Sequence, residues 1–287
     1  MHTIYHFFGE RENFLLDPVA FKIGDTPIYW YGIIIATGFL IALIYGFRRS
    51  ADYKINNDAM IDVILVGTLG AVVCARAYYV LTSLEHYATF SEMLDIRKGG
   101  LAIYGGIIGA LIFGGLACVW RKVNVLDMFD LAAPAFLIGQ AVGRWGNFMN
   151  QEAFGANTDA PWGMLSDTTM KYLADQSETL RNQGAYVIDT QPVHPCFLYE
   201  SLWCIVGFIL IHFLSKHRHF KGEGILQYVV WYGLGRFFIE QVRTDSLMVG
   251  SFKISQLVAA ACFVLGLVAL ILINLKVKAN QKQAVIS

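Results

Sequence analysis

The chain has 287 residues, of which 56% are hydrophobic and only 15% charged. A soluble domain carries about 25% charged residues, so this balance points to long stretches that face something other than water. The 22 basic and 22 acidic residues cancel, which excludes a global field that would steer nucleic acid. The five cysteines (Cys74, Cys118, Cys196, Cys204 and Cys262) all fall in or beside apolar runs, and none forms a CxxC pair. They read as small apolar packing residues, not as a disulfide framework or a metal site.

In chain order, the first 27 residues are mixed and polar, with Glu10, Arg11, Glu12 and Asp17. The apolar run behind them has no small-residue cleavage site after it, so it is expected to persist as a membrane span and not as a signal peptide. Crossing the hydrocarbon takes about 20 apolar residues in a helix. Seven stretches qualify: 28–47, 59–82, 101–120, 126–148, 196–214, 224–242 and 252–275. The fourth holds Asp127, Asp130, Gln140 and Arg144, and the sixth holds Arg236 and Glu240. Helices that carry such groups must turn them toward protein or water. Basic residues follow spans 1 (Arg48, Arg49, Lys54), 3 (Arg121, Lys122), 5 (Lys216, Arg218, Lys221) and 7 (Lys276, Lys278, Lys282). The positive-inside rule then places the N-terminus outside and the C-terminus in the cytoplasm. The polar stretch 150–193, too long for a turn, is expected to form a small folded head outside.

The expected architecture is therefore an all-α polytopic membrane protein of about seven transmembrane helices with a small extracytoplasmic head. Residues 1–27 form an extracytoplasmic segment, 28–149 hold spans 1–4, 150–193 the head, 194–275 spans 5–7, and 276–287 a cytoplasmic tail.

Depth is the most telling pattern of the polar residues. Arg76, Arg144 and Arg236 lie about four to seven residues from the outer ends of their spans, roughly 6–10 Å below the surface at 1.5 Å per residue. Tyr31 and Tyr104 sit near the outer ends of spans 1 and 3. A single arginine at that depth can snorkel to the interface. Three of them, with acids and amides beside two, call for a shared anion, and a phospholipid phosphate matches the guanidinium fork.

The sharpest segment runs from Gly143 to Gly155. A helix puts Arg144 and Asn147 on one face, while Gly143 and Gly146 let another helix or a ligand approach. Asn150 and Glu152 follow where the helix should leave the membrane. A polar network that merely holds the head is the bland alternative. In the sixth span Tyr232, Arg236 and Glu240 recur every four residues as one stripe, which a structural ion pair would also explain. The run Gly99-Gly100-Leu101-Ala102-Ile103-Tyr104-Gly105-Gly106 sets four glycines around one tyrosine, either for close packing or to open space at its hydroxyl. His194-Pro195 precedes span 5, with Tyr199 and Glu200 on its first turn. His194 reads more readily as a hydrogen bonder at the start of the helix than as a catalyst.

These residues resemble the bacterial prolipoprotein diacylglyceryl transferases. The run from Gly143 to Gly155 fits that family's G-R-x-G-N-F-x-N-x-E-x-x-G signature at every fixed position. Trp30-Tyr31-Gly32, Gly99-Gly100 through Tyr104-Gly105-Gly106, His194-Pro195 with Tyr199-Glu200, and Tyr232-Gly233 through Arg236 and Glu240 follow in the family's order. The resemblance implies transfer of the diacylglyceryl group of phosphatidylglycerol to the lipobox cysteine thiol of a preprolipoprotein, forming a thioether and releasing glycerol-1-phosphate. It also implies a bacterial inner-membrane location, with no metal and no soluble cofactor. Many members carry His where this chain has Tyr104, and that histidine has been proposed as the base. A tyrosine of pKa about 10 is a poor base at neutral pH.

In this reading Arg144, Arg236, Tyr104, Glu152 and Glu240 are the catalytic candidates. Arg144, Asn147, Asn150, Tyr31, Tyr232, Gly155, His194 and Arg76 are the substrate-binding candidates. The partners are phosphatidylglycerol, the lipobox peptide and the bilayer. A lipid transporter or flippase is the main rival, since intramembrane arginines suit it too. It needs a polar path to the other face, and there the sequence offers little beyond Asp127, Asp130 and Gln140. A purely structural membrane subunit fits the multi-helix polar cluster poorly.

Overall fold

The computed structural model describes residues 1–8, 13–84, 87, 89–96, 99–182, 187–244, 248–249 and 252–286. Glu10, Arg11 and Glu12 lie outside these residues. In chain order the elements are β1 (His2–Phe7), β2 (Phe14–Leu16), β3 (Val19–Ile23), β4 (Thr26–Tyr29), α1 (Trp30–Arg49), α2 (Asn57–Leu81), α3 (Phe90–Leu94), α4 (Ile103–Trp120) and α5 (Val125–Asn150). They continue with β5 (Met164–Ser166), α6 (Asp167–Asn182), α7 (Cys196–Leu214), α8 (Glu223–Val242), β6 (Met248–Val249), β7 (Phe252–Lys253) and α9 (Ile254–Ile286).

Helices dominate, as expected of a polytopic membrane protein. Among the described residues six of them (α1, α2, α4, α5, α7 and α9) are long and apolar enough to cross a membrane. The sequence reading counted seven spans. The remaining one, α8, has 20 residues but carries Glu223, Arg236 and Glu240, so its composition alone does not qualify it.

The chain divides into two compact units, residues 1–45 with 132–287, and residues 46–131. In the larger unit the N-terminal segment holds strands that the sequence reading did not assign. β1 is the middle strand of an antiparallel sheet of order β2-β1-β5, pairing Ile4 with Phe14 and Phe7 with Met164. Ile4 is fully buried. The stretch 150–193 folds onto this strand. Phe154, Met164, Leu173, Val193 and Phe197 form a core against which Phe7 and Phe148 pack. Ser166 and Thr169 cap α6 reciprocally, each backbone N–H bonding the other's hydroxyl, at 2.8 and 3.1 Å. The Asn157 side chain closes the loop behind, donating to the carbonyls of Ile188 (2.8 Å) and Gln191 (3.0 Å) and accepting from the Ile188 N–H (2.9 Å).

In the smaller unit α2 and α4 pack through glycines. A Cβ on Gly109 would sit 2.3 Å from the Gly70 carbonyl oxygen, and one on Gly105 would sit 2.4 Å from that of Cys74. In a bilayer, where lipid tails are as apolar as leucine, such close backbone approach is what holds two helices together. The glycines that follow Tyr104 therefore serve helix packing. Val63, Ala117 and Cys118 form a small core in this unit, and Arg121 pairs with Asp62 at 3.0 Å.

The crowding at Gly109 gives a direct test. Gly109→Ala is expected to destabilise the α2–α4 pair by about 1–3 kcal/mol, read as a lowered unfolding midpoint in detergent. Gly115, with open space where its Cβ would lie, is the matched control, and Gly115→Ala should leave the midpoint in place.

Candidate active site

One buried carboxylate organises the polar residues of the larger unit. Glu200, near the start of α7, has a side chain 3% exposed. Its Oε2 pairs with Arg144 Nη2 from α5. Its Oε1 lies 2.7 Å from Arg236 Nη1 on α8 and 3.6 Å from Arg243 Nη1 just beyond that helix. Arg236 also reaches Glu240 Oε2 at 2.7 Å through its Nη2, and the Glu240 side chain is 1% exposed. A carboxylate this buried would be costly alone, and removing a partner from such a cluster costs about 3–5 kcal/mol. The arginines keep 14–20% exposure, so their outer edges stay reachable. Lys253 closes the C-terminal end of α8, donating to the carbonyls of Glu240 (2.7 Å) and Arg243 (2.6 Å), as basic groups do at helix C-termini.

A second cluster stands at the end of α5. Asn147 Nδ2 donates to Glu152 Oε1 at 2.8 Å, and Asn150 Nδ2 approaches the same oxygen at 3.4 Å. Gln151 and Ala153, on either side of Glu152, both take left-handed backbone angles (φ 54° and 57°). They end the helix and fold Glu152 back onto Asn147. One turn earlier Tyr31 of α1 lies against Gly146, where a Cβ would come within 2.8 Å of its ring, and Ile35 meets Gly143. The glycines of the signature thus admit a neighbouring helix. Tyr31 and Asn150 also line an apolar groove of about 710 Å³ along the start of α1, with Ile28, Ile33 and Ala36.

The remaining candidates have other surroundings. Tyr232 stacks on Tyr228 with centroids 5.8 Å apart, and Tyr228 accepts a hydrogen bond from Gln140 at 2.9 Å. Gly155 is a point of close passage. Its N–H bonds the His194 carbonyl at 2.8 Å, it bridges to Arg243, and a Cβ would lie 2.5 Å from the Val242 carbonyl oxygen. His194 shares a hydrogen bond with the Tyr199 hydroxyl at 2.9 Å, and that hydroxyl accepts from Trp162 at 2.8 Å. Burial pushes the His194 imidazole below its usual pKa, because desolvation disfavours the charged ring.

Arg76 and Tyr104 belong to the unit 46–131. Arg76 is 8% exposed. Its guanidinium donates to four backbone carbonyls: Met93 (2.7 Å), Glu92, Gly99 and Gly100 (2.9 Å each). Gly99 and Gly100 take φ of 85° and 80°, and a Cβ on Gly100 would fall 2.5 Å from Arg76 Nη1. The double glycine is what lets the chain wrap this arginine on its way into α4. Arg76, a substrate-binding candidate from its depth in the sequence, here braces this loop through those four bonds. Tyr104 is 54% exposed.

Three participants carry no role in the sequence reading. Glu200 appears there only within a matched motif, and Arg243 and Lys253 do not appear. A carboxylate near the start of an apolar span is a usable signal for Glu200. Arg243 lies three residues past Glu240 and had no helical register to mark it.

Residues 18–272 match the model of the family described as prolipoprotein diacylglyceryl transferase. A protein of Clostridium novyi is 42% identical over 269 residues, covering 93% of this chain and all of its own. Proteins of Bacillus cytotoxicus and Bacillus cereus are 40% and 42% identical over 259 residues, 89% of this chain and 92% of theirs. All three are named phosphatidylglycerol–prolipoprotein diacylglyceryl transferase. The chain belongs to the prolipoprotein diacylglyceryl transferase family.

Proposed function

We propose that this protein transfers the diacylglyceryl group of phosphatidylglycerol to the cysteine thiol of a lipobox peptide in the bacterial inner membrane. The observation that carries the reading is the convergence of Arg144 and Arg236, from separate helices, on the two oxygens of Glu200. In the transfer a thiolate attacks the glyceryl carbon that bears the phosphate ester. A carbon–sulfur bond forms, the carbon–oxygen bond breaks, and its electron pair leaves with glycerol-1-phosphate. The thiol proton passes to an acceptor. The hard terms are the thiolate, of ordinary pKa about 8.5, and the negative charge on the departing phosphate.

Fixed guanidiniums in a water-poor site favour both. Glu200 and Glu240 hold them without reorganisation, and the remaining N–H donors bind phosphate oxygens bidentately. Asn147 and Asn150, oriented by Glu152, hydrogen-bond the headgroup glycerol. Tyr31, Tyr232, His194 and Gly155 shape the walls, and the groove beside Tyr31 suits apolar chains. Tyr104 contributes binding and not proton abstraction. The Lys and Arg distribution sets the N-terminus outside, with 150–193 as an extracytoplasmic head. This orientation makes α8 the seventh crossing, its charges matched inside the protein by Glu200 and Glu240.

Arg144→Ala or Arg236→Ala should lower transfer by about 10²–10³-fold while the protein still inserts, measured as radiolabelled phosphatidylglycerol incorporated into a lipobox peptide. Arg144→Lys should also be damaging, since a point charge replaces a planar fork. Unchanged transfer in a folded arginine variant refutes these roles, and lipid translocation without peptide labelling would favour a flippase.

For Tyr104 the expectation is milder. Tyr104→Phe should retain measurable transfer with a shallow pH profile. Complete loss with intact lipid binding would make the hydroxyl a participant in the proton step.

A further inference from the structure

Two tryptophans outside the polar clusters are joined in an unusual way. Trp203 of α7 and Trp231 of α8 stack with centroids 4.3 Å apart and planes within 15°. Each indole N–H donates to the other's backbone carbonyl, Trp203 to Trp231 at 2.9 Å and Trp231 to Trp203 at 3.0 Å. Four residues after each tryptophan comes a glycine, Gly207 and Gly235, and each receives the partner's indole. A Cβ on Gly207 would fall 2.2 Å from Trp231 Nε1, and one on Gly235 would fall 2.1 Å from Trp203 Nε1. The two W-x-x-x-G segments therefore grip one another reciprocally across an antiparallel helix pair.

Apolar side chains give little register to helices in lipid, because lipid tails are as apolar as leucine. A notch that only an indole edge fills, closed by a directional N–H···O bond, does give register. Sliding α8 along α7 by one helical turn, about 5.4 Å, would take both indoles out of their notches together. Glu200 stands one turn before Trp203, and Arg236 directly follows Gly235, so the Glu200–Arg236 pair lies beside the clasp.

We propose that the reciprocal clasp of Trp203 on Gly235 and Trp231 on Gly207 is the positioning device of the arginine network. It sets the register of α8 on α7 and thereby holds Arg236 on Glu200. The inference rests on the reading that Arg236 serves the phosphate. None of the four residues touches the reacting atoms; they act through Glu200 and Arg236.

The test uses the full-length protein in phosphatidylglycerol-containing proteoliposomes with a lipobox peptide. Gly235→Ala should lower kcat about tenfold with KM for the peptide little changed, the pattern of misplaced catalytic groups. It should also weaken the exciton couplet that stacked indoles give in circular dichroism. Adding Trp203→Ala removes the ring that the new methyl meets and leaves the Trp231–Gly207 half to hold register. The double variant should therefore be faster than Gly235→Ala alone.

A role in general packing predicts the reverse, with the double variant slower, and that result overturns the proposal. Wild-type kcat in Gly235→Ala overturns it as well. Should Gly235→Ala fail to accumulate, Trp203→Phe and Trp231→Phe, which each delete one N–H···O link and the indole edge in its notch, should each lower kcat by about two- to fivefold at unchanged KM. Wild-type kcat in both would then be the refuting result. Arg236→Ala, run in parallel, separates the two readings: full transfer there removes the role of the arginine, whatever the clasp variants do.

Discussion

The polar architecture of the larger unit depends on one buried carboxylate. Glu200 accepts Arg144 on one oxygen and Arg236 on the other, with Arg243 close by and Glu240 steadying Arg236. In a low-dielectric interior neither the arginines nor the glutamates are tolerable singly. Together they form a rigid cationic patch whose orientation is settled before any ligand arrives. Such pre-positioning is what electrostatic catalysis requires, because the charge that develops in the transition state then meets dipoles and cations already in place. Three helices and the residue after α8 supply the members, so the packing of those helices sets the geometry of the cluster.

Glycine does the complementary work. At Gly146 and Gly155 it lets Tyr31 and the strand-like passage beside Arg243 come close, and at Gly105 and Gly109 it joins α2 to α4. The Gly99-Gly100 pair has a different purpose. Left-handed backbone and the absence of a Cβ allow the chain to wrap the Arg76 guanidinium, which four carbonyls then saturate. An arginine in a membrane helix can thus be satisfied either by acids, as at Arg144 and Arg236, or by backbone oxygen. Only the first arrangement gathers charged side chains from several helices into one cluster.

The head illustrates how distant sequence segments become one body. Residues 150–193 supply most of this core, Phe154, Met164, Leu173 and Val193 among them. β1, far away in the sequence, lends Phe7, and Phe148 and Phe197 of the adjoining helices complete it. That core fixes where α5 ends and α7 begins, and hence where Asn147, Glu152 and Glu200 stand.

Much was legible without coordinates. Apolar length and charge scarcity announced the spans, and a dense polar signature inside a hydrophobic helix singled out Arg144, Asn147 and Glu152 as candidates. These features are local, written in composition and in spacings of three or four residues. Other features were not local. The sequence could not distinguish Arg76 from Arg144, because both are arginines in apolar helices and only their partners differ. Nor could it show that β1 pairs with β5, since six mixed residues carry no strong alternation and their partner lies far along the chain. The sharing of Glu200 by guanidiniums from separate helices was likewise decided only by tertiary packing, for side-chain partnership depends on how helices are turned and set in register, and periodicity within one helix is silent about its neighbour.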